Sequence, residues 1–230
     1  MTQHILLTGA SRGIGAAIAD RLSGADARVY AVSSKDFDLS KPEGSRRLWA
    51  AALDKLGGQI DCLINNAGIF EANPIAASDE DWAANWDRTM QINLTASAQL
   101  CRHAALHWLN QGREGRIVNV ASRAAYRGDS PEHWHYAASK AGMVAMTKSI
   151  ARGYAAKGIL AFAICPGFTM TGMAEDYLAS RGGDKLLADI PLGRVAMPDE
   201  VAELVAFCAL NAPPSMTGAV LDINGASYVR

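Results

Sequence analysis

The chain has 230 residues, half of them hydrophobic, with 22 Lys and Arg, 23 Asp and Glu, and a formal net charge of −1. That length fits one sizeable core, so a single domain over residues 1–230 is expected. The mixed charges, with no basic block, argue against nucleic acid as a partner, and no apolar run reaches the roughly 18 residues that would span a membrane.

The N-terminal apolar run, Ile5-Leu6-Leu7, is too short for a secretory signal. Cys62, Cys101, Cys165 and Cys208 are widely spaced and form no C-x-x-C pair. They read as reduced, buried thiols. The expectation is a soluble, cytoplasmic protein.

Ile5-Leu6-Leu7 is a strand that runs into Thr8-Gly9-Ala10-Ser11-Arg12-Gly13-Ile14-Gly15. Behind it Ile14, Ala17, Ile18 and Leu22 follow a helical period. Strand, glycine-rich turn and helix together offer a phosphate a close backbone approach and the positive end of a helix. The reading is nucleotide binding. Arg28 to Ser33 is a second strand, ending at Ser33-Ser34-Lys35 with no carboxylate to hold a ribose 2′-hydroxyl. With Arg12 and Lys35 close by, a 2′-phosphate is accommodated, which favours NADP(H) over NAD(H). Phe37-Asp38-Leu39 is expected as a very short third strand. Too few residues precede it for a parallel crossover, so either a helix is missing here or one of the two strand assignments is wrong.

Pro42 to Leu56 is read as a helix stopped by Gly57-Gly58, and Ile60 to Ile64 as a strand entering Asn65-Asn66-Ala67-Gly68. Ser78 with Asp81 resembles a capping box at the head of a long helical region whose apolar stripe includes Trp82, Trp86, Met90, Leu94 and Leu100. Its aromatics are read as core or interface. Asn93 inside it is a poor helix former without an evident reason. Arg116 to Val120 is a strand ending at Ala121-Ser122, and a polar loop leads from Arg123 to His135. Ile159 to Ile164 is a continuous apolar strand, as in a sheet covered on both faces. It ends at Cys165-Pro166-Gly167. A mixed stretch from Phe168 to Ile190 is expected to form a flap. A helix over Pro198 to Asn211 and a last strand over Ala219 to Ile223 follow.

Tyr136 and Lys140 are four apart and share a helix face. A positive charge near a phenol favours the phenolate and equips it for proton transfer. The alternation of strand and helix predicts an α/β fold: one doubly wound, seven-stranded parallel sheet in three layers. Ligands are then expected at the strand C-terminal ends, where Gly9, Ser33, Asn66, Ser122 and Pro166 fall.

These motifs in this order resemble the short-chain dehydrogenase/reductase family over nearly the whole chain. The resemblance rests on Thr8-Gly9-x3-Gly13-x-Gly15, Asn65-Asn66-Ala67-Gly68, the set Asn93, Ser122, Tyr136 and Lys140, and Pro166-Gly167 with Thr171. Pro191-Leu192-Gly193-Arg194, Pro198-Asp199-Glu200-Val201 and Thr217-Gly218 further resemble the 3-oxoacyl-carrier-protein reductase branch.

The resemblance implies an NAD(P)(H)-dependent oxidoreductase that interconverts a secondary alcohol and a ketone. Tyr136 is then the general acid/base. Lys140 lowers its pKa and holds the nicotinamide ribose, Ser122 binds the developing oxyanion, and Asn93 holds a relay water. Implied cofactor contacts are Gly9, Ser11, Arg12, Gly13, Ile14, Gly15, Ser33, Ser34, Asp38, Leu39, Asn65, Asn66, Ala67, Gly68, Tyr136, Lys140, Pro166, Gly167, Thr169 and Thr171. A homotetramer is implied, with a dimer second.

Four departures from the family pattern stand out: the helix before residue 37 is missing, Ser122 and Tyr136 are 14 apart, Phe162 replaces a usual Asn, and Thr169 replaces an aliphatic residue. The Arg123–His135 loop is expected to line the substrate pocket. His133 and His135 alternate like metal ligands but have no third partner, so no metal is expected. A non-catalytic nucleotide-binding regulator on the same fold is the competing reading.

Overall fold

A computed structural model describes residues 2–171 and 187–230. Six parallel strands form one sheet in the order β2-β1-β3-β4-β5-β6. They are β1 (Gln3–Thr8), β2 (Ala27–Val32), β3 (Cys62–Asn65), β4 (Gly115–Val120), β5 (Ile159–Pro166) and β6 (Val220–Ile223). β4 and β5 are buried along almost their whole length, as continuous apolar runs require. Helices cover both faces. On one side α1 (Gly13–Ser23) packs beside the late helix at Pro198–Ala206, closing a core that includes Ile5, Leu7, Ile18, Phe162 and Val205. Phe162 is fully buried there.

The other face carries α2 (Gly44–Lys55), α3 (Asp79–Met90), α4 (Ala96–Gln111), the single turn α5 (Ala124–Arg127) and α6 (Trp134–Tyr154). Leu6, Leu48, Leu63, Leu100 and Trp108 fill that side. The Trp108 indole lies over Gly115 and donates to the Ile60 carbonyl at 2.6 Å. The late helix, α7 (Pro198–Ala206), is pinned at its start by Glu200, which accepts the Met197 N–H at 2.7 Å and both ends of the Arg194 guanidinium. That contact gives the Pro-Leu-Gly-Arg and Pro-Asp-Glu-Val motifs a joint physical role.

The strand expected at Phe37-Asp38-Leu39 does not form, so among the described residues the sheet has six strands rather than seven. Two carboxylates turn the backbone there instead. Asp36 accepts from both the N–H and hydroxyl of Ser33, at 2.8 and 2.9 Å. Asp38 accepts from the N–H and hydroxyl of Ser40, at 2.9 and 2.6 Å. Such local bonds compete with a sheet ladder, and they leave β2 as the last strand on that side of the sheet. No helix forms between β2 and residue 37, as expected, but the third strand expected there is absent, and the crossover from β2 to the next strand runs through α2 (Gly44–Lys55). Of the stretch expected to form a flap, residues 172–186 lie outside the described residues.

The long helical region from residue 79 is also interrupted. Ser78 caps α3 by accepting the Asp81 N–H at 3.1 Å. Residues Gln91–Thr95 then form a π-helical turn between α3 and α4, with Asn93 at its centre. A π-bulge adds a residue to the turn and re-aims the side chain it carries. This explains an asparagine in mid-helix.

Candidate active site

Successive strands step to opposite sides of β1, so the sheet switches direction between β1 and β3, and a crevice opens at their C-terminal ends. The Thr8 hydroxyl accepts the N–H groups of Asn66 and Ala67, both at 3.1 Å, and Asn66 Nδ2 donates to the Gly9 carbonyl at 2.9 Å. The two loops are thus stitched together. Their approach leaves no room for side chains: a Cβ on Gly9 would sit 2.7 Å from Ala67 Cα, and one on Gly15 would sit 2.0 Å from the Gly9 carbonyl oxygen.

A cleft of about 380 Å³ lies over this crossing. Of the residues expected to contact cofactor, Gly9, Ser11, Arg12, Gly13, Ile14, Gly15, Ser33, Ser34, Asp38, Leu39, Asn66, Ala67, Gly68 and Thr171 line it. Arg12 precedes α1 in extended conformation, and no side chain caps the helix. Its first N–H groups therefore face the cleft without a side-chain partner, which is what a phosphate needs. The Ser40 contacts hold the Asp38 carboxyl below its ordinary range.

Some expected residues do other work. Asn65 is buried and donates to Asn119 Oδ1 at 2.9 Å and to the Cys101 thiol, away from the cleft. Pro166 ends β5, Gly167 abuts Asn224, and the Thr169 hydroxyl donates to the Gly167 carbonyl at 3.2 Å. None of these four lines the cleft, and neither do Tyr136 and Lys140, the other two expected contacts. Sequence reasoning missed Thr8, Val32, Phe37, Ser40, Leu48, Ile69, Arg88 and Ile92 as contacts, and they do line it. Arg88 and Ile92 lie just ahead of Asn93 on the same helical run, a signal that was available. Arg88 pairs with Glu71.

Gly68 joins the cleft to the second group of residues. A Cβ there would stand 3.5 Å from Lys140 Nζ and 3.4 Å from Asn93 Oδ1. Asn93 is fully buried and is held by the Ile69 backbone and the Ser139 hydroxyl. Lys140, also buried, donates to the Val120 carbonyl at 2.8 Å. Burial pushes its pKa down to about 8. Its Nζ lies 5.8 Å from the centre of the Tyr136 ring.

Ser122 follows β4 and accepts the Ala124 N–H at 3.1 Å, and its hydroxyl is near enough to the Tyr136 phenol to favour the phenolate. Burial pushes the phenol up to about 12, while Ser122 pulls the other way. The expected lowering by Lys140 does not figure among the causes of this shift: burial dominates, with Asp129 and Cys165 adding to it.

An aromatic wall flanks the phenol. The Phe70 ring stacks on His133 with centroids 3.9 Å apart and meets Tyr136 edge-on at 4.8 Å. His133 is fixed by Ser130 at 2.6 Å, and Trp134 beside it is half exposed. The two histidines are engaged with rings, His135 against Trp86. Among the described residues no cluster of three or more His, Cys, Asp or Glu forms a metal site. All four cysteines are free and buried. No helix among the described residues is long and apolar enough to cross a membrane.

A doubly wound sheet with a glycine-walled cleft at its switch point, and Lys140 close behind the Gly68 wall, is the architecture of a dinucleotide-dependent oxidoreductase. The chain belongs to the short-chain dehydrogenase/reductase family: residues 34–226 match the family described as enoyl-(acyl carrier protein) reductase. It is 34% identical to the 3-oxoacyl-[acyl-carrier-protein] reductase of Vibrio cholerae, across 97% of this chain and 96% of that one. It is 36% identical to the cis-4-hydroxycyclohexanecarboxylate dehydrogenase of Sinomonas cyclohexanicum, across 96% and 94%.

Among solved structures, a candidate 2-deoxy-D-gluconate 3-dehydrogenase of Agrobacterium tumefaciens with bound NADP matches with a TM-score of 0.86 and 30% identity, covering 98% of this chain and 96% of that one. A single-residue variant of actinorhodin polyketide ketoreductase with NADPH matches at 0.85 and 28%, covering 98% and 97%.

Proposed function

We propose that this oxidoreductase uses NADP(H) to interconvert a ketone and a secondary alcohol, with Tyr136 as general acid/base. The observation that carries the reading is the pairing of Tyr136 with Lys140, whose Nζ lies 5.8 Å from the ring centre and close behind Gly68 on the wall of a cleft whose glycines fit a dinucleotide. The uncapped start of α1 would take the pyrophosphate, and the Arg12 guanidinium with Ser33 and Ser34 would take the 2′-phosphate. Bound there, the nicotinamide would supply or accept the hydride.

In reduction, Ser122 donates to the carbonyl oxygen and stabilises the charge that builds on it. Tyr136 releases its proton to that oxygen. A phenol held near 12 remains protonated at neutral pH and is ready for this direction. Lys140 supplies a positive charge near the tyrosinate left behind, and its donor reaches the cleft at Gly68. Asn93 holds the Ile69 segment and supports the Ser139 turn under Tyr136.

Reduction of a 3-oxoacyl thioester, the reaction named for the Vibrio cholerae relative, is one form this activity takes. Small cyclic or sugar-derived alcohols, named for other relatives, are another. Assembly is proposed as a homotetramer, with a dimer second, through the α3–α4 surface, where Leu106 and Leu109 are exposed, and through the C-terminal end. Sedimentation as a monomer at micromolar concentration would overturn that part.

The deciding experiment pairs NADPH and NADH titrations with a carbonyl screen, on wild type, Arg12→Ala and Tyr136→Phe. NADPH should bind more tightly than NADH, and Arg12→Ala should remove the difference. Tyr136→Phe should keep NADPH affinity and lose turnover by about 10²-fold or more. Tight NADPH binding without reduction of any carbonyl by wild type would favour a nucleotide-binding regulator instead.

A further inference from the structure

Arg123 directly follows Ser122, and its backbone N–H donates to the Pro166 carbonyl at 2.9 Å. The residue is therefore pinned between the loops that end β4 and β5. Its side chain is only 13% accessible, and Nη1 is buried without a hydrogen bond. The carboxylate paired with it is Asp189, 3.6 Å away, beyond hydrogen-bond reach. That same Asp189 oxygen already accepts from Arg127 at 2.6 Å. Asp129 adds a weaker attraction from the exposed loop, where its own carboxylate accepts the Ser130 N–H. Burial and the neighbouring Arg127 both work against the charge on Arg123.

A desolvated guanidinium is costly unless a partner meets its donors. Here one carboxylate oxygen serves two guanidiniums, and Nη1 of Arg123, the residue next to Ser122 in the chain, is left unused. Its planar fork matches a carboxylate or phosphate in two-point contact. We propose that Arg123, backed by Arg127, forms a subsite for an anionic group, carboxylate or phosphate, carried by the substrate. The inference rests on the reading that the carbonyl is held at Ser122. It adds that this enzyme prefers ketones and alcohols bearing a negative charge.

The test titrates NADP⁺-loaded protein calorimetrically with two matched pairs: 4-oxopentanoate against 2-pentanone, and dihydroxyacetone phosphate against dihydroxyacetone. NADPH oxidation with the same four compounds is followed in parallel. Wild type should bind at least one anionic ketone 10-fold or more tightly than its neutral counterpart. Arg123→Gln should erase that margin, a loss of about 10- to 100-fold for one charge-assisted contact. Arg123→Lys should restore part of it. Which pair carries the margin tells carboxylate from phosphate.

Asp189→Asn should widen the margin by freeing the positive charge, and it keeps the proposal testable if Arg123→Gln fails to fold. No margin in wild type, a margin that survives Arg123→Gln, or a narrower one in Asp189→Asn would each overturn the subsite. Binding needs no turnover, so the two readings fail separately. A clear margin without NADPH oxidation defeats the proposed reaction and keeps the subsite. Reduction of neutral ketones without a margin does the reverse.

Discussion

Asn93 and the Ile69 peptide exchange two hydrogen bonds, Oδ1 accepting the N–H at 2.8 Å and Nδ2 donating to the carbonyl at 3.0 Å. The amide mimics one rung of a sheet ladder and ties the loop after β3 to the π-turn. Asn93→Leu removes both bonds and strands the Ile69 groups. A loss of about 2–4 kcal/mol is expected in urea denaturation. Turnover should fall more than NADPH affinity does, because Gly68, beside Lys140, moves with Ile69. A variant with full stability and rate would show that the rung is dispensable.

Lys140 gives a pH prediction with a definite sign. Its folded pKa is pushed down to about 8 from the ordinary 10.5. The cost of burying its charge is therefore felt in full below pH 8 and disappears as pH rises to about 10.5. Lys140→Met should stabilise the ligand-free protein at pH 7 by roughly 1–3 kcal/mol, after allowing for the lost bond to Val120. Urea midpoints of wild type and variant should converge by pH 10.5. A variant less stable at pH 7 would mean that the lysine is a net structural pin.

Phe70 is placed to shape what approaches Tyr136. Phe70→Ala removes the stack on His133 and the edge contact on the phenol, worth about 1 kcal/mol in ring interactions. KM for apolar ketones should rise several-fold, with NADPH affinity unchanged. Steady-state kinetics beside a fluorescence titration separates the two effects. Equal weakening of both would place the aromatic wall on the cofactor side instead.

Gly15→Ala drives a methyl group to 2.0 Å from the Gly9 carbonyl and 2.6 Å from Asn66 Nδ2. The neighbours are backbone and a fixed amide, so neither yields cheaply. Thermal melting should show destabilisation by at least about 1–3 kcal/mol, and NADPH binding should be lost even where the fold survives. Unchanged binding would mean that the crossing of the two loops is softer than its hydrogen bonds imply.

The glycine turn, the strand ends and the Tyr136–Lys140 face were legible because each is a local pattern with one geometric solution. Asn93 was legible as an anomaly, and the π-turn supplies its cause. Phe37-Asp38-Leu39 was misread because alternation of apolar and polar residues describes both a strand and a carboxylate-capped turn. Only the bonds of Asp36 to Ser33 and Asp38 to Ser40 separate the two. The tyrosine pKa was misjudged for a different reason: spacing reveals a neighbouring charge but not the desolvation that competes with it. The stacking of Phe70 on His133 joins residues 63 positions apart in the chain, and no local pattern reports such a meeting.

The turn-built rim at residues 33–40 bears on how quickly the cleft can be emptied. In a complete βαβ unit this side of the cleft is walled by an ordered strand and helix, and a ligand must leave past them. Here the rim is two short turns, each closed on itself by its own carboxylate, at the outermost strand of the sheet. On the proposed reading, spent dinucleotide would leave past these two turns, with the helical residues Leu48 and Arg88 bordering the same cleft.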